Sequence, residues 1–285
     1  MAVVALSWQL GCRGDYIADD VANQLAYKII GREEFHEVLV NTTDQFSKDL
    51  GSGEFSKIVE GEIQPDFFFR AYSEYSTHSH LLMSLIYKAA CQDNVIIKGF
   101  GSPLILSSQP HVLCVRLKGS FDIRVSSIQQ QRNLTRKAAE KLVAKDDRDR
   151  MGFVQYLFRR ELTDIQSYDM VFDIGKLSQK VIPEMIVRAA RALEETRPIT
   201  EEDKASLETF AFESQVKAVI QKQTPNIPEL NVSVSSDGIV TISGNVARQH
   251  EKTIIEQQVK SLPEVRGTIN NIKVGSPFRR KKRRT

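Results

Sequence analysis

The chain has 285 residues, room for about two domains at roughly 150 residues each, and enough to bury a sizeable core. Hydrophobic residues make up 41% and charged residues 26%, which excludes a largely disordered or fibrous chain. No apolar run reaches the roughly 18 residues of a membrane-spanning helix, and three scattered cysteines, Cys12, Cys91 and Cys114, exclude a disulfide framework and fit a reducing compartment. The net charge of +3 is set by six basic residues, Arg279 to Arg284; the chain before them is slightly acidic.

The start, MAVVALSWQLGC, ends like a lipoprotein cleavage site but lacks a basic n-region, and Ser7 and Gln9 interrupt it. It reads as a buried first strand of a cytoplasmic protein. Val3 to Leu6 is that strand. Gly11-Cys12-Arg13-Gly14 is a glycine loop, and Ile17, Val21 and Leu25 form one face of the following helix. Gly51-Ser52-Gly53 is a loop signal, and His80 to Ala90 is helical. Val95 to Ile97 is a buried strand leading into Gly99-Phe100-Gly101, and Val112 to Leu117 is another. A polar helical region runs from Phe121 to Arg160, then a strand from Met170 to Ile174 and a helix from Ser178 to Glu195. Strands alternating with helices predict an α/β domain with a parallel sheet flanked by helices, over residues 1–196.

Arg197-Pro198 and the charged stretch Thr200 to Lys204 read as a linker, 197–205. From 206 to 275 the pattern becomes α-β-β-α-β. Phe212, Val216, Val219 and Ile220 make a helix face, and Asp237-Gly238 joins two alternating strands. A helix over Ala247 to Leu262 and a strand over Thr268 to Val274 complete a small α+β domain. Basic and acidic residues balance over Ser206 to Val274, so this unit makes no electrostatic claim on nucleic acid. Residues 276–285 are a basic tail suited to an anionic surface.

On Val232-Ser233-Val234, on the run Asp237 to Val246 and on Leu262 to Gly267 with Asn270-Asn271-Ile272, the C-terminal unit resembles a BON domain. Gly238 suits a turn with positive φ, and Gly244 the exit from the second strand. The resemblance implies an interaction or phospholipid-binding module. The partners it implies are anionic phospholipid or an envelope protein, with nucleic acid a less favoured partner for the tail.

The N-terminal part resembles the cytidylate kinase-like family. The carrying residues are Ser7 to Leu25, Val95 to Gly101 with Pro110 to Leu113, and Arg124, Ala139 to Leu142, Lys145 to Arg150 and Tyr168-Asp169. The resemblance implies a P-loop nucleoside-monophosphate kinase type, using ATP and Mg²⁺ when active. It places ATP at Gly11, Cys12, Arg13, Gly14, Asp15 and Tyr16. Gly99, Phe100, Gly101 and Arg132 would meet the acceptor, and Arg124, Arg148 and Arg150 would neutralise the transferring phosphoryl group. Phosphoryl transfer is chiefly positioning and charge neutralisation, so amides at a helix N-terminus and several cations must surround the phosphates.

The sequence departs from that pattern. A full phosphate loop, GxxxxGK[ST], puts Lys after its last glycine; here Asp15 and Tyr16 follow. Trp8 and Phe100 stand where the family has Arg. Asp147 lies three residues before Arg150 on one helical face. Cys12, in a loop at a helix N-terminus, sits where a thiol pKa is lowered, or is a plain turn residue. Thr77-His78-Ser79-His80 has two imidazoles but no third metal ligand nearby. Two readings follow: a phosphotransferase fused to a BON module, or a catalytically inactive kinase fold that senses a nucleotide or acts as a scaffold.

Overall fold

A computed structural model describes residues 2–31, 33–35, 75–224, 227 and 230–275, with backbone alone at 75–78 and 223. Gly51 to Gly53 and the basic tail lie outside the described residues. The described residues divide into two compact units. One holds the chain from its start and again from Leu85 to Lys204; the other holds the earlier helical residues up to Ser84 and the chain from Ala205 onwards.

In the first unit, strands β1 (Val3–Trp8), β2 (Lys28–Ile30), β3 (Val95–Lys98), β4 (Val112–Lys118) and β5 (Met170–Asp173) form one sheet in the order β2-β3-β1-β4-β5. Every pairing is parallel. Its helices are α1 (Gly14–Leu25), the part of α2 (Tyr75–Ala90) from Leu85 onwards, α3 (Ser102–Leu106), α4 (Phe121–Arg132), α5 (Arg136–Phe158) and α6 (Val181–Thr196). Parallel strands need covered faces because each connection crosses over the sheet. On one face Val4, Leu6, Val115, Leu117 and Phe172 pack with Ile17, Ala18 and Val21 of α1 and Ile182 and Ile186 of α6. On the other, Leu104 of α3 packs with Val154 of α5 and Tyr168.

Three elements differ from the sequence expectation. β2 is a three-residue edge strand, too short for periodicity to register. The polar region from Phe121 to Arg160 is two helices, because Asn133 takes a left-handed conformation (φ 51°) as the C-cap of α4 and the Thr135 hydroxyl caps α5, accepting from Ala138 N at 3.3 Å. The charged stretch at Thr200 to Lys204 is the start of helix α7 (Glu201–Gln223), where Asp203 N donates to Thr200 Oγ1 at 3.1 Å and Thr200 N to Asp203 at 2.9 Å.

The second unit has the predicted order. After α7, strands β6 (Asn231–Val234) and β7 (Ile239–Val246) form an antiparallel hairpin, helix α8 (Gln249–Lys260) follows, and β8 (Gly267–Val274) pairs parallel with β7. Val216, Ile220, Val232, Val240, Ile242, Ile255 and Ile272 make its core. Gly238 turns the hairpin with φ 80°. Gly244 lies inside β7, not at its exit, and Leu230 fills the space a Cβ would need.

Candidate functional site

The chain leaves β1 at Trp8 and turns back into α1 through Gln9 to Arg13. Cys12 N donates to Gln9 O at 3.0 Å, and the Gln9 side chain accepts from Gly119 N at 3.1 Å, tying the loop to the end of β4. Gly11 has φ 94°, and a Cβ there would fall 2.6 Å from Arg124 O, so only glycine lets the loop rest on α4. Arg13, left-handed at φ 54°, is the N-cap of α1 and provides no side-chain cap. The first-turn amides of α1, from Gly14 to Tyr16, therefore rely on partners outside the helix.

Three features distinguish this loop from a lysine-bearing phosphate loop. Trp8 lays its indole directly on Gly14, where a Cβ would meet the ring at 2.0 Å. Asp15 Oδ1 accepts from Lys98 Nζ, at the end of β3, at 3.0 Å; the carboxylate is 70% exposed and its charge is answered locally. Cys12 is fully buried, and burial pushes its thiol up to about 11 against the opposing pull of Arg124 and Arg116. That corrects the idea of an activated thiol at the helix start: desolvation outweighs the nearby cations.

The predicted arginines fall into different environments. Arg124 is buried; it donates to Gly119 O at 3.1 Å, to Leu10 O at 3.4 Å, and to both Asp147 oxygens at 2.9 and 2.7 Å. Asp147 thus serves Arg124, and Arg150 pairs instead with Asp146 at 2.6 Å, one turn earlier on its own helix. Arg148 is exposed and donates to Ala144 O at 3.3 Å, and Arg132 is exposed in the last turn of α4.

Gly99, Phe100 and Gly101 all have positive φ (75°, 54° and 72°). Phe100 sits edge-on to Phe35, with ring centres 5.3 Å apart, and 6.3 Å from Phe153, which meets Phe158 in turn. The expected acceptor edge of the sheet is therefore aromatic.

Sequence reasoning missed a cleft of about 330 Å³ beside the loop, lined by Arg13, Asp122, Ile123, Ser126, Ser127, Gln130 and Gln179. Its α4 residues lie on a helix whose polar composition reads as a solvated face, so no periodic signal marked them. Lys98 was legible only as the end of a strand. His80 is buried, and among the described residues no group of three or more His, Cys, Asp or Glu side chains is placed to hold a metal ion.

A parallel sheet of order 2-3-1-4-5, with a glycine loop between β1 and α1, defines an α/β domain of the P-loop kinase type. The model of the cytidylate kinase-like family matches residues 3–176, and the chain belongs to that family; the BON domain model matches residues 210–276. No curated protein matches the chain. Among solved structures, an uncharacterized protein from Eubacterium ventriosum is 19% identical (TM-score 0.47), covering 67% of this chain and 98% of its own. Shikimate kinase from Acinetobacter baumannii, in complex with shikimate, is 11% identical (TM-score 0.39; 67% and 94%), and a gluconokinase from Sinorhizobium meliloti is 12% identical (TM-score 0.37; 67% and 90%). No helix among the described residues is long and apolar enough to cross a membrane.

Proposed function

We propose that the N-terminal unit is a nucleotide-binding module in which binding, not phosphoryl transfer, is the working event, coupled to a BON interaction module. The observation that carries this reading is the cleft between Arg13, α4 and Gln179, beside an uncapped helix start. Ile123 offers an apolar surface to a base, Gln130 and Gln179 offer amides to its edge, and the amides of Gly14 to Tyr16 offer donors to phosphate. ATP fits this arrangement on the donor side. Mg²⁺ would meet the loop through Asp15, whose carboxylate is exposed.

Transfer needs cations that can follow the charge as it develops. Arg124 has its donors committed to two carbonyls and Asp147, Arg150 is paired with Asp146, and Lys98 is paired with Asp15. The exposed Arg148 and Arg132 favour the second reading, a phosphotransferase that assembles only on binding its acceptor.

The test is thermal unfolding with ATP, CTP and CMP, with and without Mg²⁺, alongside an assay of phosphate transfer to CMP. A nucleotide at a hundred times its dissociation constant adds about 2.7 kcal/mol. Stabilisation by ATP, abolished by Ile123→Asp, without transfer to CMP, is the expected result. Absence of any nucleotide effect at millimolar concentration removes the reading, and turnover with CMP replaces it with the phosphotransferase.

For the C-terminal unit we propose docking to an anionic surface or a partner protein. Ile254, Ile269 and Val274 are exposed there, Ile269 and Val274 on the edge strand β8, and the tail adds six positive charges.

A further inference from the structure

Behind the glycine loop, on the sheet face away from α1, lies a cation with no counter-charge among the described residues. Ser7 and Arg116 are register partners on β1 and β4. Their neighbours Leu6, Trp8, Val115 and Leu117 belong to the cluster under α1 and α6, so strand alternation sends Ser7 and Arg116 to the opposite face. Cys114 leaves on that face too, with its thiol donating to Pro103 O of α3 at 3.5 Å.

Arg116 is 6% exposed. Its Nη1 donates to Tyr168 Oη at 3.2 Å, its guanidinium carbon lies 5.5 Å from the centre of that ring, and the phenol donates onward to Leu162 O at 2.9 Å. No carboxylate stands within ion-pair distance of it among the described residues. Ser7 is 5% exposed, and its buried Oγ makes no hydrogen bond among the described residues.

A guanidinium does not shed its proton in a protein, so burial cannot be relieved by neutralisation. A buried charge is kept when an opposite charge answers it. An unused hydroxyl in the adjacent register position supplies the second donor an oxyanion needs. We propose that Arg116 and Ser7 anchor a binding site for a phosphate-sized oxyanion at the carboxyl ends of β1 and β4, the edge at which open parallel sheets take ligands. The anion is orthophosphate itself or the phosphoryl group of a phosphate monoester. None of Arg13, Ile123, Ser126, Ser127, Gln130 and Gln179 takes part, so this site and the nucleotide cleft succeed or fail separately.

The test is thermal unfolding of the full chain in orthophosphate, in a phosphate monoester that carries no base, such as glycerol 3-phosphate, and in chloride at matched ionic strength. Wild type is expected to be stabilised saturably by phosphate beyond chloride. Arg116→Met is expected to melt above wild type in chloride, because it removes an unanswered buried charge, and to lose the phosphate response. Ser7→Ala, a smaller change, should raise the half-saturating phosphate concentration about tenfold, the loss of one hydrogen bond to a charged group. A response to the monoester alone identifies the ligand as the phosphoryl group of a larger molecule. The proposal is overturned if wild type gains nothing over chloride from either ligand, or if Arg116→Met responds as wild type does. Should Arg116→Met fail to fold, an unchanged half-saturating concentration in Ser7→Ala overturns it as well.

Discussion

Gly14 has no room for a side chain, because a Cβ there would fall 2.0 Å from the Trp8 indole. By intrinsic propensity alone, alanine in this first helical turn would be an improvement of about 1 kcal/mol. The contact reverses that sign: Gly14→Ala should lower the unfolding free energy by about 1–3 kcal/mol in urea titrations, as overpacking does. In a double-mutant cycle with Trp8→Ala the penalty should largely vanish. His111 is the second residue whose surroundings decide its chemistry. It is buried, its Nδ1 lies 3.8 Å from Asp203, neither ring nitrogen makes a hydrogen bond among the described residues, and burial holds its pKa below the ordinary 6.5 against the opposing pull of Asp203. Below pH 6.5 the unfolded chain therefore takes up a proton that the folded chain refuses. Stability should fall as pH drops through that range, by up to about 1.4 kcal/mol per pH unit. His111→Gln should flatten this part of the profile in denaturation measured between pH 7.5 and 5.5; an unchanged slope would contradict the assignment.

At the scale of elements, the pairing of α4 with α5 gives the lid-like arginines different partners. Val125 and Ile128 pack on Ala139 and Val143, with Leu10 of the loop alongside. The Arg124–Asp147 bridge closes the same junction with a side-chain exposure of 4% for the arginine and 23% for the aspartate. Removing one partner strands the other charge, so Asp147→Ala should cost about 3–5 kcal/mol, whereas Arg124→Met with Asp147→Leu together should restore much of it. Calorimetric melting of the three variants tests this. The two-helix break falls at Asn133-Leu134-Thr135, a left-handed C-cap followed by an N-cap, and the uniformly polar stretch around it hid it from the sequence reading. The parallel strands were legible because β-branched runs such as Val95-Ile96-Ile97 are buried on both faces; β2, at an edge and three residues long, carried too little pattern to be seen.

Across the whole molecule, charge is segregated. The BON unit is balanced and its apolar residues are exposed at only a few positions, while six cations stand beyond it at 279–284. Each basic residue near an anionic lipid surface adds about 1 kcal/mol at low salt. Deleting residues 279–285 should therefore abolish co-sedimentation with vesicles rich in phosphatidylserine, and leave thermal stabilisation by ATP unchanged. Retained pelleting would assign lipid contact to the folded BON surface instead.

The sequence by itself determined the α/β domain, the BON order and the place of the glycine loop, because hydrophobic period and glycine position are local properties that each strand, turn and helix must satisfy. It could also announce that Asp15, Trp8 and Phe100 replace expected cations. Only the tertiary structure decided what those replacements do: Asp15 is met by Lys98, 83 positions away; Trp8 lies on Gly14; and Phe100 joins the rings of Phe35 and Phe153. It alone matched Arg124 with Asp147 and left Arg116 beside Ser7. The reason is physical: whether a charge is committed or free depends on neighbours that chain folding brings within a few ångströms, and sequence spacing does not encode that distance.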